Sequence, residues 1–212
     1  MGINTFPQFE IEYYRLNDSQ DFVYAGRAEY DPETKRHKLL LPFNAEVPKF
    51  LLFHELTHIF DMESLGNGNR AHDFCLTGYM EYHASQVELM TMMGAKTIRE
   101  ALSFSMEDAI NCSKWSVRQY LDNKLETAKI LILDSSLEKR CDGLGALFNF
   151  WGLKSVCSMY SIDFKDDYGY REFLNHMSAL LFMEMRDCFT KWIDDVDIAI
   201  ALYSQALCSI AS

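Results

Sequence analysis

The sequence predicts an α+β fold, mainly α, with a small antiparallel sheet at its N-terminal end and helices over the remainder. Three observations carry that prediction. Phe9-Glu10-Ile11-Glu12-Tyr13 alternates apolar and charged residues with a period of two, as a half-buried strand does. From Phe50 onward apolar residues return at helical spacing through long stretches. Breakers are scarce: 4 prolines and 10 glycines in 212 residues, of which 49% are apolar, leave room for long helices and a substantial core.

Taken in order, the first strand is followed by Asn17-Asp18-Ser19, which has turn chemistry. Phe22 to Tyr30 and Lys38 to Phe43 are two further extended runs, and the Asp31-Pro32 turn between them predicts a hairpin. Pro42 cannot donate to a ladder, so Leu39 to Phe43 is expected at a sheet edge, where an extended peptide could add as a further strand. Pro48 suits a first helical turn, and Phe50 to Leu65 reads as a helix whose apolar stripe is Phe50, Phe53, Leu56 and Phe60, with Ile59 beside it. Gly66-Asn67-Gly68-Asn69 ends it with a sharp turn. A second helix is expected from Ala71 to Thr91, with Tyr79, Tyr82, Val87, Leu89 and Met90 on its packed side and Gly94 as its stop. Further helical segments are read near Thr97–Asn111, Ser113–Leu133, Ser136–Phe150, Asp166–Asp187 and Trp192–Ile210, with a loop over Asp163 to Gly169. Gly143 and Gly145 predict a kink or break in the third of these. The organisation is then a core over residues 1–94 and a helical extension over 95–212, either separate or packed onto the core as one domain.

The chemistry sits in His54-Glu55-Leu56-Thr57-His58. Histidines four apart project from one helix face, so both imidazoles can reach a single ion. The glutamate between them lies about 100° round the helix, placed to take a proton from water without itself being a ligand. A hydrolytic zinc site also needs a third protein ligand and an open fourth position. Asp61, His72, Asp73, Glu81, His83 and Glu88 are the candidates. Asp61 is short and on the same helix, which suits an outer-shell partner better. Glu81 lies on a second helix that can return antiparallel through the Gly66–Asn69 turn, and Glu88, two turns on, shares its face and is its main rival.

With Glu81-Tyr-His-Ala84-Ser85 and Leu89-Met90 following the H-E-x-x-H segment, the chain resembles the glutamate-type zincins, most closely the ImmA/IrrE-type metallopeptidases. The similarity covers residues 20 to 93, and its E-x-x-A element is short. It implies a zincin-like core holding Zn²⁺ through His54, His58 and Glu81, with Glu55 as general base, and cleavage of a peptide or protein substrate. Ser85 stands where the family has Asn or Asp, so support for a ligand histidine is expected elsewhere, with Asp61 a candidate. No helix-turn-helix segment accompanies it. Tyr79, Tyr82, His83 and His176 are candidate donors to an oxyanion. The competing reading is an interaction protein whose helical half binds a partner, with the metal serving mainly to staple the fold. Hydrolysis of a non-peptide amide is a third.

Net charge excludes one class and favours another. At −11 the chain lacks the basic footprint of a nucleic-acid binder, and Lys35-Arg36-His37-Lys38 reads as a solvated loop tip. Six dispersed cysteines without a C-x-x-C pair fit a reducing compartment, and there is neither a secretory start nor an apolar run of membrane-spanning length. A cytoplasmic location is the expectation.

Overall fold

The computed structural model describes residues 6–15, 26–31, 33–97, 100–111, 114–193 and 195–211. Its architecture is α+β and mainly α: strands β1 (Phe9–Tyr14), β2 (Arg27–Asp31) and β3 (Arg36–Pro42), then helices α1 (Lys49–Leu65), α2 (Arg70–Met92), α3 (Val117–Ile132), α4 (Leu137–Tyr160), α5 (Ala179–Cys188) and α6 (Val196–Ile210). A 3-10 turn, Phe173–Asn175, precedes α5.

The sheet order is β1-β3-β2. β2 and β3 form the expected antiparallel hairpin, and the Asp31 carboxylate closes its turn by accepting from the Glu33 and Thr34 amides. Two expectations are corrected. β1 runs parallel to β3, so the sheet is mixed and not antiparallel, and β3 is the central strand and not an edge. Pro42 is tolerated there because it is the last residue of the strand, after which the Phe43 amide donates to the Tyr14 carbonyl. With both sides of β3 taken, no peptide can add at Leu39–Phe43. The basic cluster opens β3 and is matched by acids: Arg36 pairs with Glu10, Lys38 with Glu12 at 2.7 Å and His37 with Glu63 at 3.0 Å. The Asn17–Ser19 turn, the start of the second strand and Cys112 lie outside the described residues.

α1 starts after Pro48 and ends at Gly66, whose amide reaches the Met62 carbonyl. Asn69 caps α2 through its side-chain oxygen, which accepts from Ala71 and His72. The two helices run antiparallel, since His54 meets Glu88 and Asp61 meets His83. The stripe predicted for α1 is buried only in part: Ile59 is buried, Phe50 packs against the core, and Leu56 and Phe60 are half-buried. Phe53 is 38% exposed, whereas His54, Thr57, Ile59 and Asp61 are buried. α1 turns mostly polar residues inward, and a buried polar face is the informative kind of burial.

Within the segment expected as a helix from Thr97 to Asn111, the described residues are not helical. Phe104 bridges to Ser161 and Ala109 to Ser116, while the Asp108 and Asp163 carboxylates take the Ser105 and Met106 amides that a helix would need. Asp166–Asp187 is α-helical only from Ala179, behind a Ser178 cap, and the last helix begins at Val196 behind Asp195. α4 runs unbroken through its glycines. A Cβ on Gly143 would lie 2.6 Å from the Ile132 amide nitrogen, and one on Gly152 would lie 2.2 Å from the Tyr82 carbonyl oxygen. These glycines let α4 lie against α3 and α2.

One buried cluster runs from Tyr82, Leu89, Met90 and Met92 of α2 into α3, α4, α5 and α6. At its centre Trp151 stacks on Phe189 at 5.6 Å, with the Phe148 ring 4.7 Å from Phe189 and 5.0 Å from Tyr203. No disulfide joins Cys75, Cys141, Cys157, Cys188 or Cys208 among the described residues, and no described helix is long and apolar enough to cross a membrane.

Candidate metal centre

α1 and α2 bring three of the predicted residues to one point. One ligand atom each from His54, His58 and Glu81 lies within 4.8 Å of the others. His54 Nε2 is 3.6 Å from one Glu81 oxygen, and His58 Nε2 is 3.8 Å from the other. Both separations are too long for hydrogen bonds. They approach the edge of a zinc tetrahedron, about 3.4 Å for bonds of about 2.0–2.1 Å. The imidazoles meet edge to face, with centroids 4.8 Å apart.

The surroundings fit a cation. His58 Nδ1 is buried without a hydrogen-bond partner among the described residues, and its Nε2 stands 3.8 Å from a Glu81 oxygen. A buried ring nitrogen without a partner is costly, so this imidazole is held in place by packing and not by a hydrogen bond at Nδ1. Two imidazoles and a carboxylate are a zinc donor set. Glu81 keeps 25% of its side-chain surface, so the cluster retains an opening to solvent.

Electrostatics separate the two histidines. Burial drives the His58 imidazole down to about 4, so it is neutral at ordinary pH. Burial acts the same way on His54, but the Glu81 and Glu88 carboxylates outweigh it and lift that imidazole to about 10. Burial also opposes ionisation of Glu81, yet the His58 and His54 imidazoles and the Asn149 amide hold it near 2. Glu88, fully buried, is likewise held near 2 against its burial by Lys124, His54 and Tyr120.

Glu55 sits on the sheet side of α1, where one carboxylate oxygen accepts the Ala28 amide at 2.7 Å. Burial raises its carboxyl to about 7, only partly offset by the His54 charge and the Ala28 N–H. The Tyr14 phenol lies close enough for burial and the Glu55 charge to raise it in turn. A carboxyl poised near neutrality can accept and return a proton at physiological pH.

The rival ligands are placed elsewhere. Glu88 approaches the far nitrogen of His54, Nδ1, at 2.7 Å, and so orients that histidine from behind. Asp61 holds His83 Nδ1 at 2.9 Å and supports neither motif histidine by hydrogen bond. His72 pairs with its neighbour Asp73 at the head of α2. Of the candidate oxyanion donors, Tyr82 is buried and gives its hydroxyl to the Lys191 carbonyl. Sequence reasoning missed Tyr120, which donates to Glu88, and Asn149, which accepts from Ser85. Both come from helices far along the chain, and no local signal marks them.

Comparison with protein-family models, with curated proteins and with solved structures gives no match.

Proposed function

We propose that this chain is a zinc-dependent metallopeptidase with a zincin-like core, in which His54, His58 and Glu81 hold the ion and Glu55 is the general base. The convergence of two imidazoles and one carboxylate, with one ligand atom from each within 4.8 Å of the others, carries the proposal. Similarity to the ImmA/IrrE-type metallopeptidases points the same way through the H-E-x-x-H and E-x-x-A segments. When bound, zinc supplies a Lewis acid that acidifies water and polarises a carbonyl.

The remaining chemistry belongs to side chains. Glu55, ionised, takes a proton from the attacking water and later returns it to the leaving amine. Its elevated pKa suits both halves of that exchange. Glu88 keeps His54 oriented, and the neutral state of His58 is the one a ligand requires. An extended peptide fits the surroundings. β2 is an edge strand among the described residues, and its Ala28 amide points at Glu55 and away from β3.

The test is a pair of variants assayed on an unbiased peptide library with and without chelator. Glu55→Gln keeps zinc and loses turnover by about 10²–10⁴-fold. His58→Ala loses zinc. Cleavage by Glu55→Gln at the parent rate refutes the general base. Stoichiometric zinc with no chelator-sensitive cleavage by the parent favours an interaction protein.

A further inference from the structure

We infer that the helical half of the chain is the outer shell of this centre, with Tyr120 on α3 and Asn149 on α4 acting as positioning residues for His54 and Glu81. The inference rests on the reading of His54, His58 and Glu81 as ligands, and it adds a role that residues 1–94 cannot supply alone.

A ligating imidazole is oriented by what its other nitrogen meets, and that partner must itself be held. Glu88 meets His54 Nδ1 with one oxygen and accepts the Tyr120 hydroxyl with the other. The carboxylate is fully buried, so these contacts fix its plane with no help from water. Tyr120 is fixed in turn. It lies in the first turn of α3, behind a capping box in which Ser116 and Gln119 satisfy each other's backbone amides, and its own amide donates to the Ser116 carbonyl at 3.0 Å.

Asn149 does the corresponding work for the third ligand. The Glu81 carboxylate only accepts, so Asn149 can serve it only through the amide NH₂. The Asn149 oxygen is then left for a donor, and the Ser85 hydroxyl supplies one. Ser85 therefore sets which way the amide points. Gly152, three residues on, is what lets α4 come this close to α2. Ser85 thus supports Glu81 through Asn149, while Glu88 orients His54 from one turn further along α2. His58 receives no such support, as its Nδ1 has no partner among the described residues.

Docking of α3 and α4 onto α2 and occupation of the ligand set are consequently linked, and each favours the other. The test uses the full-length chain. Zinc affinity is measured by chelator competition, and thermal unfolding of the metal-free protein is followed in parallel. The variants are Tyr120→Phe, the double variant Ser85→Ala/Asn149→Leu, which removes both partners of one hydrogen bond, and Thr127→Ala, whose exposed hydroxyl bonds only within α3. The first two are expected to bind zinc about 10–100-fold more weakly, and Thr127→Ala to bind as the parent does. Zinc is expected to slow amide exchange across 117–132 in the parent and to lose that effect in Tyr120→Phe. Parent-like zinc affinity in Tyr120→Phe overturns the inference, even if the metal-free protein melts lower, because a merely structural role moves only the melt. Should the double variant fail to fold, Tyr120→Phe decides alone. Absence of zinc binding by the parent overturns the ligand reading, and the inference with it.

Discussion

Glu88→Gln tests the electrostatics of the centre without relying on turnover. The substitution keeps shape and removes the charge that faces His54 Nδ1 at 2.7 Å. In the metal-free protein His54 is raised from 6.5 to about 10, so its proton stabilises the fold fully below 6.5 and that stabilisation is lost as pH rises through about 10. The whole shift corresponds to about 5 kcal/mol, at about 1.4 kcal/mol per pH unit. With Glu88 neutral the variant's His54 titrates lower than the parent's, and the parent's advantage narrows by up to about 5 kcal/mol as pH rises toward about 10. Urea unfolding of chelator-treated parent and variant across that range measures the difference, to which Glu55, also raised by Glu88, contributes near pH 7. A difference that stays constant with pH refutes the assignment of the His54 proton to these two carboxylates.

Two further substitutions probe the frame around the centre. Gly152→Ala drives a Cβ to 2.2 Å from the Tyr82 carbonyl oxygen and 2.9 Å from Ser85 Cβ, so urea unfolding is expected to show a loss of about 1–3 kcal/mol together with weaker zinc binding. A parent-like midpoint there refutes the close α2–α4 approach. Lys154 is buried and pairs with Asp166 at 2.7 Å, but Asp166 is 36% exposed and can return to water. Lys154→Met is therefore expected to change unfolding stability by no more than about 1 kcal/mol, and a loss above about 3 kcal/mol shows the ion pair to be a net source of stability.

The parts of the fold legible in the sequence are those whose signals act within one turn. Pro48, Gly66 and Asn69 bound α1 and α2 by local chemistry, and the i,i+4 spacing puts His54 and His58 on one face without further information. Strand alternation reveals β1 but not its partner, because it is the same in a parallel and an antiparallel ladder. Apolar spacing made Thr97–Asn111 look helical, whereas Ser105, Asp108 and the distant Asp163 capture its backbone. In α4 the glycines read as breaks, since their use appears only when a second helix lies against them. The roles of Glu88 and Asn149 depend on contacts 34 and 64 residues apart in the chain, and no periodicity encodes those.

The same contacts bear on how the proposed centre would fold without an ion. Glu81 and Glu88 are held ionised, His58 is neutral and His54 carries a proton, so the metal-free cluster has two negative charges facing one positive. The proton on His54 does part of the work of a cation between the two carboxylates. Zinc bound as proposed would displace it, because a ligating imidazole is neutral, and the cluster would then balance two carboxylates against a divalent ion. On the proposed reading proton and metal compete for one place, and zinc affinity is expected to rise with pH while His54 is still being deprotonated. Glu88 stands at the hinge of this exchange. It favours the proton on Nδ1 in both states, which frees Nε2 for the metal once the second proton has gone. A carboxylate that raised the affinity of His54 for protons at both nitrogens would obstruct binding, whereas one confined to the far nitrogen directs the ion to the near one.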